Sequence, residues 1–224
     1  AFKKTKQNGS NGVDNNDLGM IVVLINGGPI SCDWLRETTH NIAVLEAFEG
    51  GQSGGAALAE TLFGVNNPSG VLPYSLYAEN ATLESVVPFT RFDMRPDGSY
   101  PGRTYRFSTA PTLWGFGEGL SYTTFELQWK SVDEQQHGQS SSAANATARI
   151  TTTTTTEAIH AGAISLQVNV TNTGYLSGGK VVQAFVTRIP NERHRAMGAP
   201  SPPIKELFGM QKVFLEPGES IEVT

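Results

Sequence analysis

Cysteine is almost absent from this sequence, which excludes two kinds of site. The single cysteine, Cys32, cannot form a disulfide within the chain, and no Cys/His spacing typical of a zinc site accompanies it. We therefore predict a small, partly buried side chain at Cys32 and neither a metal site nor a cofactor.

Charged residues and long apolar runs are also few. Only 17% of the 224 residues are charged, and 21 Asp and Glu against 16 Lys and Arg give a net charge of −5. The longest basic cluster, at residues 3–6, is far from the basic stripe that a phosphate backbone requires. The longest apolar run, Met20 to Ile25, is too short to cross a bilayer. We expect neither nucleic acid nor a membrane as a partner.

Signals for export, nucleotide binding and serine catalysis are missing as well. No apolar signal-peptide segment opens the chain, which starts at Ala1 as a fragment or a processed form would. The Gly-rich segment at 50–55 matches neither a P-loop nor the dinucleotide fingerprint, so it predicts tight helix–strand packing. No Gly-x-Ser-x-Gly context surrounds the histidines, which are His40, His137, His160 and His194. Four N-x-S/T sequons are compatible with secretion and lie at Asn8, Asn80, Asn145 and Asn169.

The first third of the chain has the pattern of a parallel α/β domain. The β-branched run Met20–Ile25 predicts a strand buried on both faces, as in a parallel sheet covered by helices. We expect a short helix around Cys32–Thr39, a parallel strand at Ile42–Leu45, a helix at Ala56–Phe63 and a short strand at Val71–Leu76.

From Leu120 onward the hydrophobic period changes to two, which is typical of a β-sandwich. The expected strands are Thr124–Trp129, Ile164–Val170, Lys180–Thr187 and Ser220–Thr224. A Gln/Ser/Ala-biased segment with six consecutive threonines predicts a disordered insertion at 133–158. The predicted fold class is α/β plus all-β. Its predicted parts are a disordered leader at 1–18, a partial α/β domain at 19–77, an aromatic connector at 78–117 and an incomplete β-sandwich at 118–224.

Five acidic residues are candidates for chemistry: Glu46, Glu49, Asp93, Asp97 and Glu118. Glu46 and Glu49 follow a predicted parallel strand, and open α/β sheets bind ligands beyond the carboxyl ends of their strands. With Gln52 they are the candidates for a ligand cleft. No pair suited to acid–base work emerges, so the residues alone leave the function open.

Several motifs resemble one enzyme family when taken together and in order. They are Val22–Ile30, Gly51–Gly64, Asn67-Pro-Ser-Gly-Val-Leu-Pro73, Tyr100-Pro-Gly-Arg-Thr-Tyr-Arg-Phe107, Phe116-Gly-Glu-Gly-Leu-Ser-Tyr122, Asn169–Gly174 and Leu215-Glu-Pro-Gly218. This order, over about residues 20–224, resembles the C-terminal part of glycoside hydrolase family 3, in its β-xylosidase/α-arabinofuranosidase branch. Glu49-Gly50 stands where that family usually has an aromatic residue and proline.

The resemblance implies a fold and an activity. The fold would be an α/β sandwich domain followed by a fibronectin type III-like domain, here truncated at its C-terminus. The activity would be retaining hydrolysis of O-glycosyl bonds in xylan or arabinoxylan, outside the cell. The nucleophile Asp and the acid/base Glu have no counterpart here, so we expect no catalytic residue in this chain and a missing N-terminal barrel as its partner. The fragment alone is expected to be inactive and marginally stable.

Two alternatives remain open. Within the family, the complete enzyme could be a β-glucosidase. Outside enzymology, the chain could be a non-catalytic carbohydrate-binding or adhesion module built on the same scaffold, because a fold does not by itself determine a function.

Overall fold

The structure of the protein, a computed structural model, describes most of the chain outside the Thr-rich segment. The described residues are 2–3, 19–37, 41–79, 87–88, 90–130, 167–187, 200 and 202–224. The predicted insertion at 133–158, the four histidines, three of the four sequons and nearly all of the predicted leader therefore lie outside the described residues.

Ten strands and three helices occur in the described residues. The strands are β1 (Phe2–Lys3), β2 (Met20–Leu24), β3 (Ile42–Glu46), β4 (Leu76–Tyr77), β5 (Thr112–Trp114), β6 (Phe125–Lys130), β7 (Gln167–Asn172), β8 (Gly178–Val186), β9 (Glu206–Leu215) and β10 (Ser220–Val223). The helices are α1 (Trp34–Glu37), α2 (Gly54–Leu62) and α3 (Thr104–Phe107).

The chain divides into two compact units. The first comprises Ala1–Asn66, Gly70–Leu120 and Gln183–Met210, and the second comprises Asn67–Ser69, Ser121–Val182 and Gln211–Thr224. Strands β8 and β9 pair with each other, and the residues of each strand are divided between the two units.

The first unit is built on a parallel strand pair. Strands β2 and β3 run parallel, with Met20 opposite Ile42 and Leu24 opposite Glu46, which confirms the predicted pairing. Strand β1, where the sequence predicted only a disordered leader, adds antiparallel to the other edge of β3. The sheet has three strands in the order β1-β3-β2.

Burial of β2 differs from the prediction that both of its faces are covered. Met20 and Ile21 are 42% and 56% exposed, whereas Val22 and Leu24 pack against the core of the unit. The exposed residues are the first two of the strand and point to opposite faces of the sheet, so the prediction fails at the start of β2, whereas residues 22–24 are half-buried.

The core of the first unit combines residues far apart in sequence. It consists of Cys32, Leu35, Ile42, Val44, Leu72, Leu76 and Leu113. Cys32 is 4% exposed and thus more deeply buried than the partly buried side chain that the sequence predicted. The predicted strand at Val71–Leu76 is reduced to β4, which pairs antiparallel with β5, a strand that the sequence did not indicate.

Helix α2 follows the Gly-rich turn and is largely exposed. Thr61 is its one buried residue, and its hydroxyl donates to the Ala57 carbonyl oxygen at 2.8 Å. Just after the helix, Phe63 and Val65 are 85% and 78% exposed. At 9 residues α2 is the longest helix in the described part of the chain, and none there is long and apolar enough to span a membrane.

The second unit contains a three-stranded antiparallel sheet. Strand β7 lies between β10 and β6, and the sheet packs against residues of β8 and β9 in one core. That core consists of Phe125, Val168, Val170, Val182, Val213, Leu215 and Val223. The alternation along β6, β7, β8 and β10 predicted these strands, whereas β9 was missed because its sequence alternates poorly.

Candidate functional site

The carboxyl ends of the parallel strands bring two loops together. Leu24 lies opposite Glu46 in the register, and the Ala47 amide donates to the Leu24 carbonyl oxygen at 2.9 Å, which extends the pairing by one residue. Asn26 therefore follows β2 at the same sheet edge where Glu46 ends β3. Open α/β sheets bind ligands at this edge.

Glu46 has a buried carboxylate group, which is unusual for an acidic residue. Both of its carboxylate oxygens are buried and have no hydrogen-bond partner among the described residues. Burial raises the pKa of the Glu46 carboxyl. A buried carboxyl without a paired cation favours its uncharged form.

Two polar side chains near Glu46 also have an oxygen without a hydrogen-bond partner among the described residues. The Asn26 Oδ1 and the Tyr74 hydroxyl are buried and without a hydrogen-bond partner in the described part of the chain, although the Asn26 Nδ2 donates to the Gly28 carbonyl oxygen at 2.8 Å. Burial, and secondarily the charge of Glu46, raises the pKa of Tyr74. Burial also raises the pKa of the Cys32 thiol, with smaller contributions from Asp33 and Glu46. Four oxygens of Asn26, Glu46 and Tyr74 thus form one buried polar cluster.

The turn after β3 has a strained backbone. Phe48 has φ +52°, an unusual conformation for a bulky residue that costs about 1–3 kcal/mol. Its ring contacts the Tyr74 ring edge-on, with centroids 5.8 Å apart and planes at 87°. The surrounding structure therefore holds Phe48 in place beside the buried polar cluster.

Beyond Phe48, the other two cleft candidates face solvent. Glu49 and Gln52 are exposed, and a Cβ placed on Gly27 would lie 3.3 Å from the Glu49 Oε1. A Cβ on Gly50 would lie 2.8 Å from the Gly54 Cα, so the turn passes closely over the start of α2. The structure thus brings Glu46, Glu49 and Gln52 to one sheet edge, with the carboxylate oxygens of Glu46 buried and the other two side chains exposed.

The remaining acidic candidates make structural contacts. Asp93 and Asp97 accept from the Arg91 guanidinium at 3.0 and 2.9 Å, and both carboxylates are largely exposed. Glu118 Oε1 accepts from the Gly115 amide at 2.9 Å and so closes its own turn. Each of the three residues thus has a contact within its own loop or turn.

The Tyr100–Phe107 motif is held by hydrogen bonds to neighbouring backbone groups of the first unit. Tyr100 is 4% exposed, and its hydroxyl donates to the Asp93 carbonyl oxygen at 2.6 Å. The Arg103 guanidinium donates to the carbonyl oxygens of Arg91 and Pro88. Two of the Arg103 donors are thus received by backbone carbonyl oxygens.

The second half of the motif is tied down in the same unit. The Thr104 amide donates to the Tyr77 hydroxyl at 2.8 Å, and Arg106 forms an ion pair with Glu206 at 2.6 Å. The Tyr105 and Phe116 rings stack with centroids 4.0 Å apart. Two aromatic residues of the predicted connector thus pack against each other here.

Asn26 and Tyr74 are the site residues that sequence reasoning missed. Asn26 could have been found, since it directly follows the β2 run, where ligand-facing residues of α/β sheets lie. No sequence pattern identifies Tyr74 as a site residue, because only folding brings it to the end of β3. No group of three or more His, Cys, Asp or Glu residues suited to a metal occurs among the residues that the structure describes.

Comparison with known proteins identifies the family. Residues 5–122 match the profile described as the glycosyl hydrolase family 3 C-terminal domain, which is more than half of the chain. The chain belongs to glycoside hydrolase family 3. The resemblance inferred from the motifs is thereby confirmed at the level of the family.

Relatives in family 3 carry two kinds of name. The chain is 34% identical to β-D-xylosidase 1 of Arabidopsis thaliana over 206 residues, which are 89% of this chain and 26% of the relative. It is also 34% identical to thermostable β-glucosidase B of Acetivibrio thermocellus over 209 residues, covering 92% and 24% of the two proteins. The chain thus spans about a quarter of the length of these curated relatives.

Solved structures of family 3 enzymes share the fold. The exo-β-xylosidase XlnD, in complex with a xylobiose aziridine probe, matches with a TM-score of 0.66 and 24% identity over 91% of this chain and 25% of that one. The β-glucosidase of Kluyveromyces marxianus in complex with glucose matches with a TM-score of 0.61 and 26% identity, over 91% and 21%. A sheet-rich C-terminal region of a family 3 protein is therefore the architecture that the comparisons support.

Proposed function

We propose that this chain is the C-terminal part of a retaining exo-glycosidase that removes xylose from the non-reducing ends of xylan or arabinoxylan fragments outside the cell. The observation that carries this proposal is the family 3 match together with 34% identity to a protein named as a β-D-xylosidase. The ordered motifs of the β-xylosidase branch, above all Tyr100–Phe107, give it further support.

Under this proposal, both catalytic carboxylates come from the rest of a longer enzyme. A retaining glycosidase needs two carboxyl groups about 5 Å apart on either side of the scissile bond. Four of the five acidic candidates have surroundings of another kind. Asp93 and Asp97 neutralise Arg91, Glu118 closes a turn and Glu46 is buried.

The contribution of this chain would be to border the sugar cleft. Glu49 and Gln52 are exposed polar residues at the carboxyl edge of the parallel strands, the edge at which α/β sheets bind ligands. Their side chains can bond sugar hydroxyls, as donor or acceptor for the Gln52 amide and as acceptor for the Glu49 carboxylate. The exposed side chains of Ile25, Phe63 and Val65 would be covered by the remaining domains.

A β-glucosidase is the second candidate. It is favoured by the equal identity, 34%, to a protein named as a β-glucosidase. The two sugars differ at the hydroxymethyl group, which xylose lacks, so the choice depends on whether the complete cleft accommodates that group. Discrimination against an extra or missing small group in such a pocket is about 10- to 200-fold.

The test is to express the longest open reading frame that contains this sequence, beside the 224-residue chain alone. Hydrolysis of p-nitrophenyl β-xyloside, α-arabinofuranoside and β-glucoside would be measured for both, and the anomer first released would be identified by NMR. We expect the longer protein to favour the xyloside and release the β-anomer, and the chain alone to be inactive.

Other outcomes would assign the function differently. Preference for the glucoside would select the second candidate, and release of the α-anomer would contradict the retaining mechanism. Activity of the chain alone would contradict the location of the carboxylates. A well-folded chain that binds xylan, with no active longer form, would instead support a non-catalytic module.

A further inference from the structure

One strand of the second unit carries a sequence signal that glycoside hydrolysis does not use. Asn169-Val-Thr171 is an N-x-S/T sequon, the acceptor sequence for N-linked glycans in exported proteins. The other three sequons lie outside the described residues. Asn169 lies within β7, the central strand of the sheet β10-β7-β6, so a neighbouring strand on each side defines its surroundings.

The side chain of Asn169 lies on the outer face of this sheet. Val168 and Val170, which precede and follow it, are buried in the core of the unit, whereas Asn169 is half-buried. Because successive side chains of a strand point to opposite faces, Asn169 points away from that core. Its register partners, Gln128 on β6 and Glu222 on β10, are both exposed. The outer face is therefore open to solvent on either side of Asn169.

The Asn169 amide can be substituted without loss of a contact. Its side chain forms no hydrogen bond with the residues that the structure describes. The contrast is Asn172 on the same strand, which is fully buried and whose Nδ2 donates to the Leu176 and Leu215 carbonyl oxygens. A glycan on Asn169 would displace no hydrogen bond of the side chain, whereas one on Asn172 would displace at least one.

One surface contact borders Asn169. Lys130 on β6 lies opposite Gln167, and its ammonium forms an ion pair with Glu222 on β10, so the two side chains meet above β7. The Lys130 and Glu222 side chains are 54% and 36% exposed. Exposed ion pairs contribute little to stability. A glycan that displaced this pair would therefore cost the sheet little.

The folded sheet cannot itself be the substrate for glycan transfer. The Thr171 hydroxyl, which the sequon requires, lies 2.7 Å from the Ser220 hydroxyl, and the backbone of β7 is paired with β6 and β10. A transferase needs this segment of chain unpaired. Strand β10 follows β7 in the sequence, so during synthesis the sequon emerges before β10 exists to pair with it. The modification therefore has to precede completion of the sheet.

We propose that Asn169 is an N-glycosylation site, modified during synthesis, and that the folded sheet carries the glycan on its outer face. A bond forms between Asn169 Nδ2 and C1 of the sugar, and the bond from C1 to the pyrophosphate of a lipid-linked oligosaccharide breaks. The pyrophosphate leaves with the bonding electron pair, and Nδ2 gives up one proton to a base of the transferase. This proposal rests on one part of the proposed function, which is export from the cell.

The test is expression of the full 224-residue chain behind a secretion signal in a yeast host, with Asn8, Asn80 and Asn145 replaced by glutamine. This single-sequon chain is compared with three versions that carry a further change: Asn169→Gln, Thr171→Val and the control Thr171→Ser. Protein is collected from the medium and from the secretory membranes together. The glycan is detected by the mobility shift on endoglycosidase H treatment and located by peptide mass spectrometry.

We expect a glycan on Asn169 of the single-sequon chain and none in the Asn169→Gln or Thr171→Val versions. The Thr171→Ser version should keep it, because serine retains the hydroxyl that the sequon requires. A single-sequon chain without a glycan, or a glycan that persists in Thr171→Val, would overturn the proposal.

The secreted fraction tests whether the folded sheet accepts the glycan. The single-sequon chain should be secreted at least as well as its Asn169→Gln version, since the outer face has room for the sugar. A several-fold lower fraction would overturn the proposal, because destabilised chains are retained and degraded. Neither measurement uses a glycoside substrate. A failed glycosidase assay would therefore contradict the proposed activity alone, and an unmodified Asn169 would contradict this proposal alone.

Discussion

Asn172 is the residue whose replacement should destabilise the second unit most. It is fully buried, and its amide uses its whole hydrogen-bonding capacity. The Nδ2 group donates to the Leu176 and Leu215 carbonyl oxygens at 2.8 and 3.0 Å. The Oδ1 accepts from the Thr123 hydroxyl at 2.8 Å and from the Gly174 amide at 3.1 Å. One side chain thus joins β7 to β9 and to two turns.

Replacing Asn172 by alanine would leave these four partner groups unsatisfied. A typical hydrogen bond contributes about 1 kcal/mol net, and each polar group left buried and unpaired costs about 1–3 kcal/mol. Some partners will regain water through relaxation, so we expect a total loss of about 3–5 kcal/mol in the free energy of unfolding. For a chain of this size, that lowers the Tm by roughly 6–20 °C.

The assay is urea unfolding of the 224-residue chain, followed by circular dichroism and tryptophan fluorescence. Asn169→Ala is the matched control, because it makes the same chemical change three residues earlier on β7, on the half-buried face opposite Gln128 and Glu222. A loss for Asn172→Ala no greater than that for Asn169→Ala would refute the argument. Asn172→Asp should also be destabilised, because it directs a second carboxyl oxygen at two carbonyl oxygens.

Three further predictions follow from individual contacts. Gly102→Ala should cost about 2–3 kcal/mol of stability, since φ is +84° and the new Cβ would lie 2.8 Å from a backbone carbonyl oxygen. The control Gly98→Ala, at φ +56° with open space around it, should cost about 1 kcal/mol, and equal losses would contradict this reading. Asp97→Asn should change stability by less than about 1 kcal/mol and leave hydrolysis by the longer enzyme unchanged, because its side chain is 79% exposed; a large loss of kcat would make it a catalytic residue. Replacing Phe63 and Val65 together by serine should reduce light scattering by the isolated chain and lower the Tm of the longer enzyme, and no change in either would show that this surface stays uncovered.

Much of the fold could be predicted because hydrophobic patterns along short stretches of sequence indicate its strands. The continuous apolar run of β2 and the alternation of β6, β7 and β10 identified those strands, and the parallel pairing of β2 with β3 was correct. Strand β9 was missed, since its buried residues, Val213 and Leu215, come only at its end. Strand β1 was missed because two residues carry no detectable period.

The candidate site was predictable only in outline. Glu46 and Glu49 come at the end of a predicted parallel strand, and the structure does have both residues at one edge of the sheet. The sequence could not tell that the first is buried and the second exposed, because burial depends on packing by residues distant in the chain. Nor could it tell that Asp93 and Asp97 both contact Arg91, since that contact requires the folded loop.

The sequence by itself determined the family of this protein. Ordered motifs such as Tyr100–Phe107 and the Gly-rich turn at 50–55 persist as strings of residues, so they can be recognised without coordinates. Only the tertiary structure decided that Tyr74 and Asn26 surround Glu46, that Phe48 is strained beside them and that Asn172 is saturated with hydrogen bonds. The physical reason is that partner, burial and strain are properties of groups brought together through space, and sequence patterns record only neighbours along the chain.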